Sequence, residues 1–214
     1  LTDKDGNVIA SATHPHKMLL PQPGWAEHRP EEDWWNDFVK ITKKILKASK
    51  INPGDISCIA TSAIGPCMLP VSYEGDPLMN AVLYGVDTRA ENEIRELNEE
   101  VGEEKILQSC GNALTSQSVG PKILWLKKNC PEIFKKAGKI LSSTSFLVHK
   151  LTGESVIDHY TAANFTPLYD IKNLKWTDAL TKNIIEIERL PKLMWTTEIA
   201  GYVSKAASKE TGLA

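Results

Sequence analysis

The sequence predicts an α/β domain, a mixed sheet flanked by helices. Three observations carry this. Short apolar, β-branched runs alternate along the chain with segments of helical period, and such alternation builds sheets covered by helices. Apolar residues make up 42% and charged residues 24%, which excludes disorder and collagen-like order. A length of 214 residues suffices for one large domain with a sizeable core.

Taken in order, Asp5-Gly6 marks a hairpin turn and Val8–Ala10 a short strand, followed by a loop holding Pro15, Pro21, Pro23 and Gly24. Pro30 suits the first position of a helix, and Glu31, Glu32 and Asp33 place negative charge at its positive end. Trp34, Phe38, Ile41 and Ile45 line one face, and Asn52-Pro53-Gly54 breaks the helix. Ile56–Thr61 reads as a buried central strand, ended by Gly65-Pro66. Met68–Tyr73 and Leu78–Tyr84 flank Glu74-Gly75-Asp76-Pro77 and read as a hairpin.

Helices are expected from about Ala90 to Val101, over Lys105–Cys110, over Val119–Lys128 and over Glu132–Ala137. Lys139–Leu141 reads as a strand, Ser145–Leu151 as a helix stopped by Gly153, and Ser155–Ile157 as a strand. A polar, aromatic stretch runs to Asp170. Thr177–Glu186 is expected to be helical, Gly201–Val203 a strand and Lys205–Thr211 a last helix.

Several function classes are excluded. Twenty-five Lys and Arg against 27 Asp and Glu leave a net charge of −2, which gives no footprint for nucleic acid or an anionic membrane. Cys58, Cys67, Cys110 and Cys130 are dispersed, without a Cys-x-x-Cys pair, so zinc and disulfide frameworks lack support. Reduced thiols in the cytoplasm are the expectation. No apolar run reaches the ~18 residues of a membrane span. P-loop, dinucleotide, serine-hydrolase and His-Glu-x-x-His motifs are absent, and no metal ligands are spaced as a set.

Three segments carry chemistry. Leu83-Tyr84-Gly85-Val86-Asp87-Thr88-Arg89-Ala90-Glu91 is a strand entering a helix with an Asp and an Arg at the junction. Gln117 to Leu126 is a polar approach to an amphipathic helix, and Gly153 to Asn164 contains a strand ending at Asp158. By spacing alone, Asp158 before Thr161 reads as a helix N-cap. Asp87 and Arg89 read as a cap or a surface pair, worth ~0–1 kcal/mol. Gln117 and Tyr84 read as polar groups satisfying neighbours. Trp34, Trp125 and Trp176 read as core aromatics, and Trp25 as core or cleft lining.

With Pro23-Gly24-Trp25-Ala26-Glu27-His28 and the Pro30–Trp35 helix start, the order of these segments resembles the N-terminal half of FGGY-family carbohydrate kinases, which include xylulokinase-like and glycerol kinase-like enzymes. The resemblance implies an actin-like, ribonuclease H-like domain. It also implies transfer of the ATP γ-phosphate, with Mg²⁺, to a hydroxyl of a ketose or polyol. Asp158 falls at the position of a carboxylate that takes the proton from the attacking hydroxyl, a step a carboxylate within hydrogen-bond reach can perform. Asp87, Arg89, Gln117 and Tyr84 are the implied substrate-binding residues.

The resemblance places the family's opening strand and Asp-x-Gly-Thr loop ahead of Leu1, and a C-terminal nucleotide-binding domain after Ala214. The expectation is therefore that this polypeptide alone does not transfer phosphate. Apolar surface facing that domain would favour a homodimer. Ala63 and Ile64 stand where xylulokinases carry Met-His and glycerol kinases Arg-Glu, so the acceptor stays open between ketose and polyol. Competing readings are a non-catalytic sugar-binding or scaffold protein that keeps the fold, and an actin-like structural ATPase.

Overall fold

The computed structural model describes residues 1–214. In chain order the elements are β1 (Glu27–His28), α1 (Asn36–Ser49), β2 (Leu69–Val71), β3 (Ala81–Val82), α2 (Glu91–Val101) and α3 (Glu103–Cys110). They continue as α4 (Val119–Asn129), α5 (Pro131–Lys136), β4 (Lys139–Leu141), α6 (Ser143–Thr152), β5 (Val156–Asp158) and α7 (His159–Ala162). The last are β6 (Tyr169–Asp170), β7 (Lys175–Trp176), β8 (Lys192–Met194) and α8 (Lys205–Thr211).

At the centre β1 lies antiparallel to β3, with Glu27 opposite Val82, and β2 lies antiparallel to β4, with Leu69 opposite Leu141. A bridge between Met68 and Val82 joins the two pairs. Alternation along these strands explains why both faces are covered, since successive side chains point to opposite sides. Met68, Val82 and Ile140 enter one core with Ile123 and Leu126 of α4 and Phe165. Leu69, Ala81, Leu83 and Leu141 enter the other with Trp34, Trp35 and Phe146 of α6. The parallel pair β5–β8 and the hairpin β6–β7 complete the strands.

Most helices follow from local chemistry. Pro30 opens a wide turn over Pro30–Trp35 that continues into α1. Ser142 caps α6 by accepting from Ser145 N at 3.1 Å, and Ser204 caps α8 by accepting from Ala207 N at 3.1 Å. The hairpin at Glu74–Pro77 forms as expected from its turn residues, with Val71 opposite Pro77.

Three expectations are corrected. Ile56–Thr61 is not a buried strand: it has no strand partner, Ile59 is 37% exposed, and the segment walls an open groove. A β-branched run becomes a strand only when neighbouring backbone satisfies its N–H and C=O groups, and none lies alongside it. Thr177–Glu186 is not helical. There the Thr177 and Thr181 hydroxyls accept from the backbone N–H groups of Ala179 and Asn183 at 3.1 and 3.2 Å, which competes with helix bonding. Gly201–Val203 forms no strand either. The chain there runs over the surface, with Tyr202 83% exposed, before Ser204 N bonds Leu151 O at 2.8 Å.

Candidate functional site

The Leu83–Ala90 segment leaves β3 and meets two other parts of the chain at a buried charged node. Asp87 and Arg89 have fully buried side chains. Arg89 Nε donates to both Asp87 carboxylate oxygens at 2.9 and 3.0 Å, and its Nη2 donates to Asp87 at 2.8 Å and to Glu27 at 2.8 Å. Asp87 also accepts from the backbone N–H of Ala26 at 2.7 Å, and Glu27 from the Asn80 amide at 2.9 Å. The guanidinium lies 3.8 Å from the Trp25 ring centre and 5.0 Å from that of Trp125. These aromatic faces stand beside Nη1, which has no oxygen partner. The node ties β1 to the turn after β3 and satisfies Nε and Nη2 internally, leaving Nη1 unpaired. Asp87 and Arg89 are thus held inside the fold and present no side-chain surface to solvent.

The turn after β3 also carries Tyr84, half-buried, and the approach to α4 carries Gln117, exposed. The Tyr84 hydroxyl donates to Gln117 Oε1 at 2.9 Å, joining the turn after β3 to the approach of α4. Ser116 Oγ donates to Gly85 O at 2.9 Å and makes a second tie between the same segments. Gly65 lies under the Tyr84 ring: a Cβ there would stand 2.8 Å from Cδ1. Beside Gln117 opens a recess of about 150 Å³ whose polar lining is Asn112, Thr115, Gln117, Ser118, Asn164 and Thr166. No charged side chain lines it.

Lys122, on the first turns of α4, is 1% exposed. Its ammonium donates to the carbonyl oxygens of Leu83 at 2.8 Å and Ser116 at 2.7 Å. Burial pushes its pKa down to about 8, against an upward pull from Asp87 and Cys67 and a smaller downward push from Arg89. The sequence held one sign of this residue, a lysine inside the apolar stretch Val119–Leu126.

Asp158 stands elsewhere. It ends β5 and caps α7, accepting from Thr161 N at 2.8 Å and from Thr161 Oγ1 at 2.6 Å. Its carboxylate has no ion-pair partner and lines a larger groove of about 710 Å³, walled by Ile56–Thr61 and Met194–Val203. The structure therefore brings Tyr84 to Gln117 and Arg89 to Asp87 as two separate pairs, and sets Asp158 in a cavity apart from Gln117. Its neighbour His159 engages the Tyr169 hydroxyl at 2.8 Å and packs against Trp195 at an interplanar angle of 43°, with ring centres 4.3 Å apart.

No group of three or more His, Cys, Asp or Glu side chains is placed to hold a metal ion. No helix is long and apolar enough to cross a membrane.

The fold and motifs match known proteins. The FGGY family of carbohydrate kinases, N-terminal domain, matches residues 1–214. A glycerol kinase of Thermococcus gammatolerans is 33% identical over 209 residues, covering 95% of this chain and 41% of that protein. A glycerol kinase of Thermococcus kodakarensis is 31% identical over the same coverage. Among solved structures, the xylulose kinase of Rhodospirillum rubrum superposes with a TM-score of 0.88 at 26% identity, covering 97% of this chain and 43% of that one. Plasmodium falciparum glycerol kinase with ADP gives 0.88 at 26% identity, covering 99% and 44%. The chain spans about two fifths of the length of these relatives, 41% in the first case. It has the actin-like α/β fold of these kinases and belongs to the FGGY family of carbohydrate kinases, whose N-terminal domain it matches throughout.

Proposed function

We propose that this chain is the acceptor-binding part of an ATP-dependent carbohydrate kinase, which transfers the γ-phosphate to a hydroxyl of a ketose or polyol. The observation that carries the reading is the uncharged recess lined by Gln117, whose Oε1 accepts from the Tyr84 hydroxyl, in a chain that matches the family from end to end. Amide and hydroxyl groups both donate and accept hydrogen bonds, which suits an uncharged ligand rich in hydroxyl groups. Tyr84 and Gln117 are the ligand-contacting residues in this reading, and Asp87 and Arg89 are not, being held inside the fold. The relatives' names do not fix the acceptor. Ala63 packs into the core and Ile64 is 40% exposed, and neither side chain can hydrogen-bond a sugar.

Carbohydrate kinases of this family generally use ATP and Mg²⁺. In the proposed reaction the acceptor hydroxyl attacks phosphorus while a carboxylate takes its proton, a contribution of roughly 10²–10⁴-fold. Positioning and neutralisation of phosphate charge supply most of the rest. Asp158 is the candidate proton acceptor by its place in the chain alone, since it lines a different cavity from the recess at Gln117. The two bonds from Thr161 favour a second reading, in which Asp158 is a helix cap and the acceptor carboxylate lies outside residues 1–214. Free thiols at all four cysteines suit a reducing compartment, so the cytoplasm is part of the proposal.

The test is a steady-state phosphotransfer assay on the whole protein, with ATP, Mg²⁺ and a panel of ketoses and polyols. Turnover with at least one acceptor is expected. Saturable sugar binding without turnover across the panel would instead establish the non-catalytic alternative.

A further inference from the structure

Lys122 makes its two hydrogen bonds to a particular pair of carbonyls. One belongs to Leu83, the residue before Tyr84, and the other to Ser116, the residue before Gln117. A single ammonium thus grips, one residue upstream in each case, the two segments whose side chains meet above it at 2.9 Å. We propose that Lys122 is the positioning residue of the acceptor site, setting the separation of the Tyr84 and Gln117 segments and hence the shape offered to a polyhydroxylated ligand. The inference rests on the reading of Tyr84 and Gln117 as ligand-contacting residues.

Stability alone gives no reason for a cation here. The surrounding positions of α4 are apolar and buried, Val119, Ile123 and Leu126 among them. Burying an ammonium is costly, and a buried charge replaced by a well-packed apolar side chain is often neutral or stabilising. No carboxylate bonds Lys122; its partners are two carbonyl oxygens that strand pairing and helix bonding leave free. An ammonium can serve both at once, because its three N–H groups diverge from one atom. The charged and titratable groups around it are Asp87, Arg89 and Cys67. The Ser116 hydroxyl bonded to Gly85 O completes the clamp from the other side.

The experiment compares wild type, Lys122→Met and Gln117→Ala as the full 214-residue chain. Two readouts are taken: the nuclear Overhauser contact between the Tyr84 ring and the Gln117 side-chain amide, and the affinities for glycerol and D-xylulose. Lys122→Met is expected to keep its secondary structure by circular dichroism, lose the contact, and weaken whichever probe binds by about tenfold. Should it fail to fold, Lys122→Gln, which keeps N–H donors without the charge, enters the same comparison. A Lys122 variant that keeps both the contact and the wild-type affinity overturns the proposal. An affinity that Gln117→Ala leaves unchanged removes Gln117 from the ligand site and overturns the reading on which the proposal rests, whereas weakening by Gln117→Ala beside wild-type affinity in the Lys122 variant overturns the positioning role alone.

Discussion

Replacing Arg89 by Met tests the buried node most severely. The substitution keeps most of the side-chain volume and removes the guanidinium, and with it three N–H bonds to Asp87 and one to Glu27. Asp87, fully buried, then retains its bonds from Ala26 N at 2.7 Å and Arg89 N at 3.1 Å but loses its only ion-pair partner. Breaking a buried pair from one side costs about 3–5 kcal/mol, because the remaining charge is left uncompensated. For a chain of this size, ~2–4 °C of melting temperature per kcal/mol turns that into a fall of about 6–20 °C. Urea unfolding followed by tryptophan fluorescence suits the assay, since Trp25 and Trp125 flank the guanidinium. The double variant Asp87→Asn/Arg89→Met is expected to be less destabilised than the sum of the single changes, by at least about 1 kcal/mol. A single Arg89→Met variant within about 1 kcal/mol of wild type refutes the description of this node as a structural keystone.

Other outcomes follow from individual contacts. Asp158→Asn preserves a capping oxygen, so stability is expected to change little, whereas Asp158→Ala loses the cap at a cost of ~1 kcal/mol. A 10²–10⁴-fold loss of turnover in Asp158→Asn with unchanged acceptor affinity identifies a proton acceptor; near-normal turnover assigns Asp158 to the cap alone. Lys122 deprotonates at about 8 when folded and near 10.5 when unfolded, so between those values the unfolded chain binds one more proton. Stability of wild type relative to Lys122→Met is therefore expected to rise with pH across that window, by about 3 kcal/mol in all. Denaturant midpoints at pH 7.5 and pH 10, values chosen to lie on either side of about 8, measure it, and a flat difference contradicts the buried ammonium. Gly65→Ala pushes a methyl group against the Tyr84 ring and is expected to weaken acceptor binding while leaving the node intact; unchanged affinity removes Tyr84 from the proposed acceptor contacts.

Much of the chain was legible from local chemistry. The helices over Glu91–Val101, Val119–Asn129 and Lys205–Thr211 carry their period and end signals in consecutive residues. The strand at Lys139–Leu141 was equally plain, because its alternation places Ile140 in one core and Leu141 in the other. Ile56–Thr61 has strand composition, but composition cannot supply a neighbour for its backbone. In Thr177–Glu186, adjacent Ile184 and Ile185 are both buried and hydroxyl side chains engage the backbone, which no helical period reveals.

The candidate site divides in the same way. Tyr84, Asp87, Arg89 and Gln117 are singled out by the family resemblance, since spacing alone reads them as a cap, a surface pair and satisfied polar groups. Their division into exposed and buried pairs depends on Trp25, Glu27 and Trp125, which arrive from distant segments. Asp158 was correctly marked as a cap by the Thr161 that follows it, but its cavity is set by Met194–Val203, far along the chain. The role of Lys122 could not be read from sequence at all, since both its partners are backbone oxygens.

The central claim is that an uncharged polyhydroxyl acceptor binds at Tyr84 and Gln117. Chemical-shift mapping of the isotope-labelled chain, titrated with glycerol, D-xylulose and related polyols, tests it directly. The account predicts saturable shifts centred on Tyr84, Gln117, Asn112 and Asn164 that vanish in Gln117→Ala. Saturable shifts confined to the groove around Ile56–Thr61 and Asp158, untouched by that substitution, would contradict it.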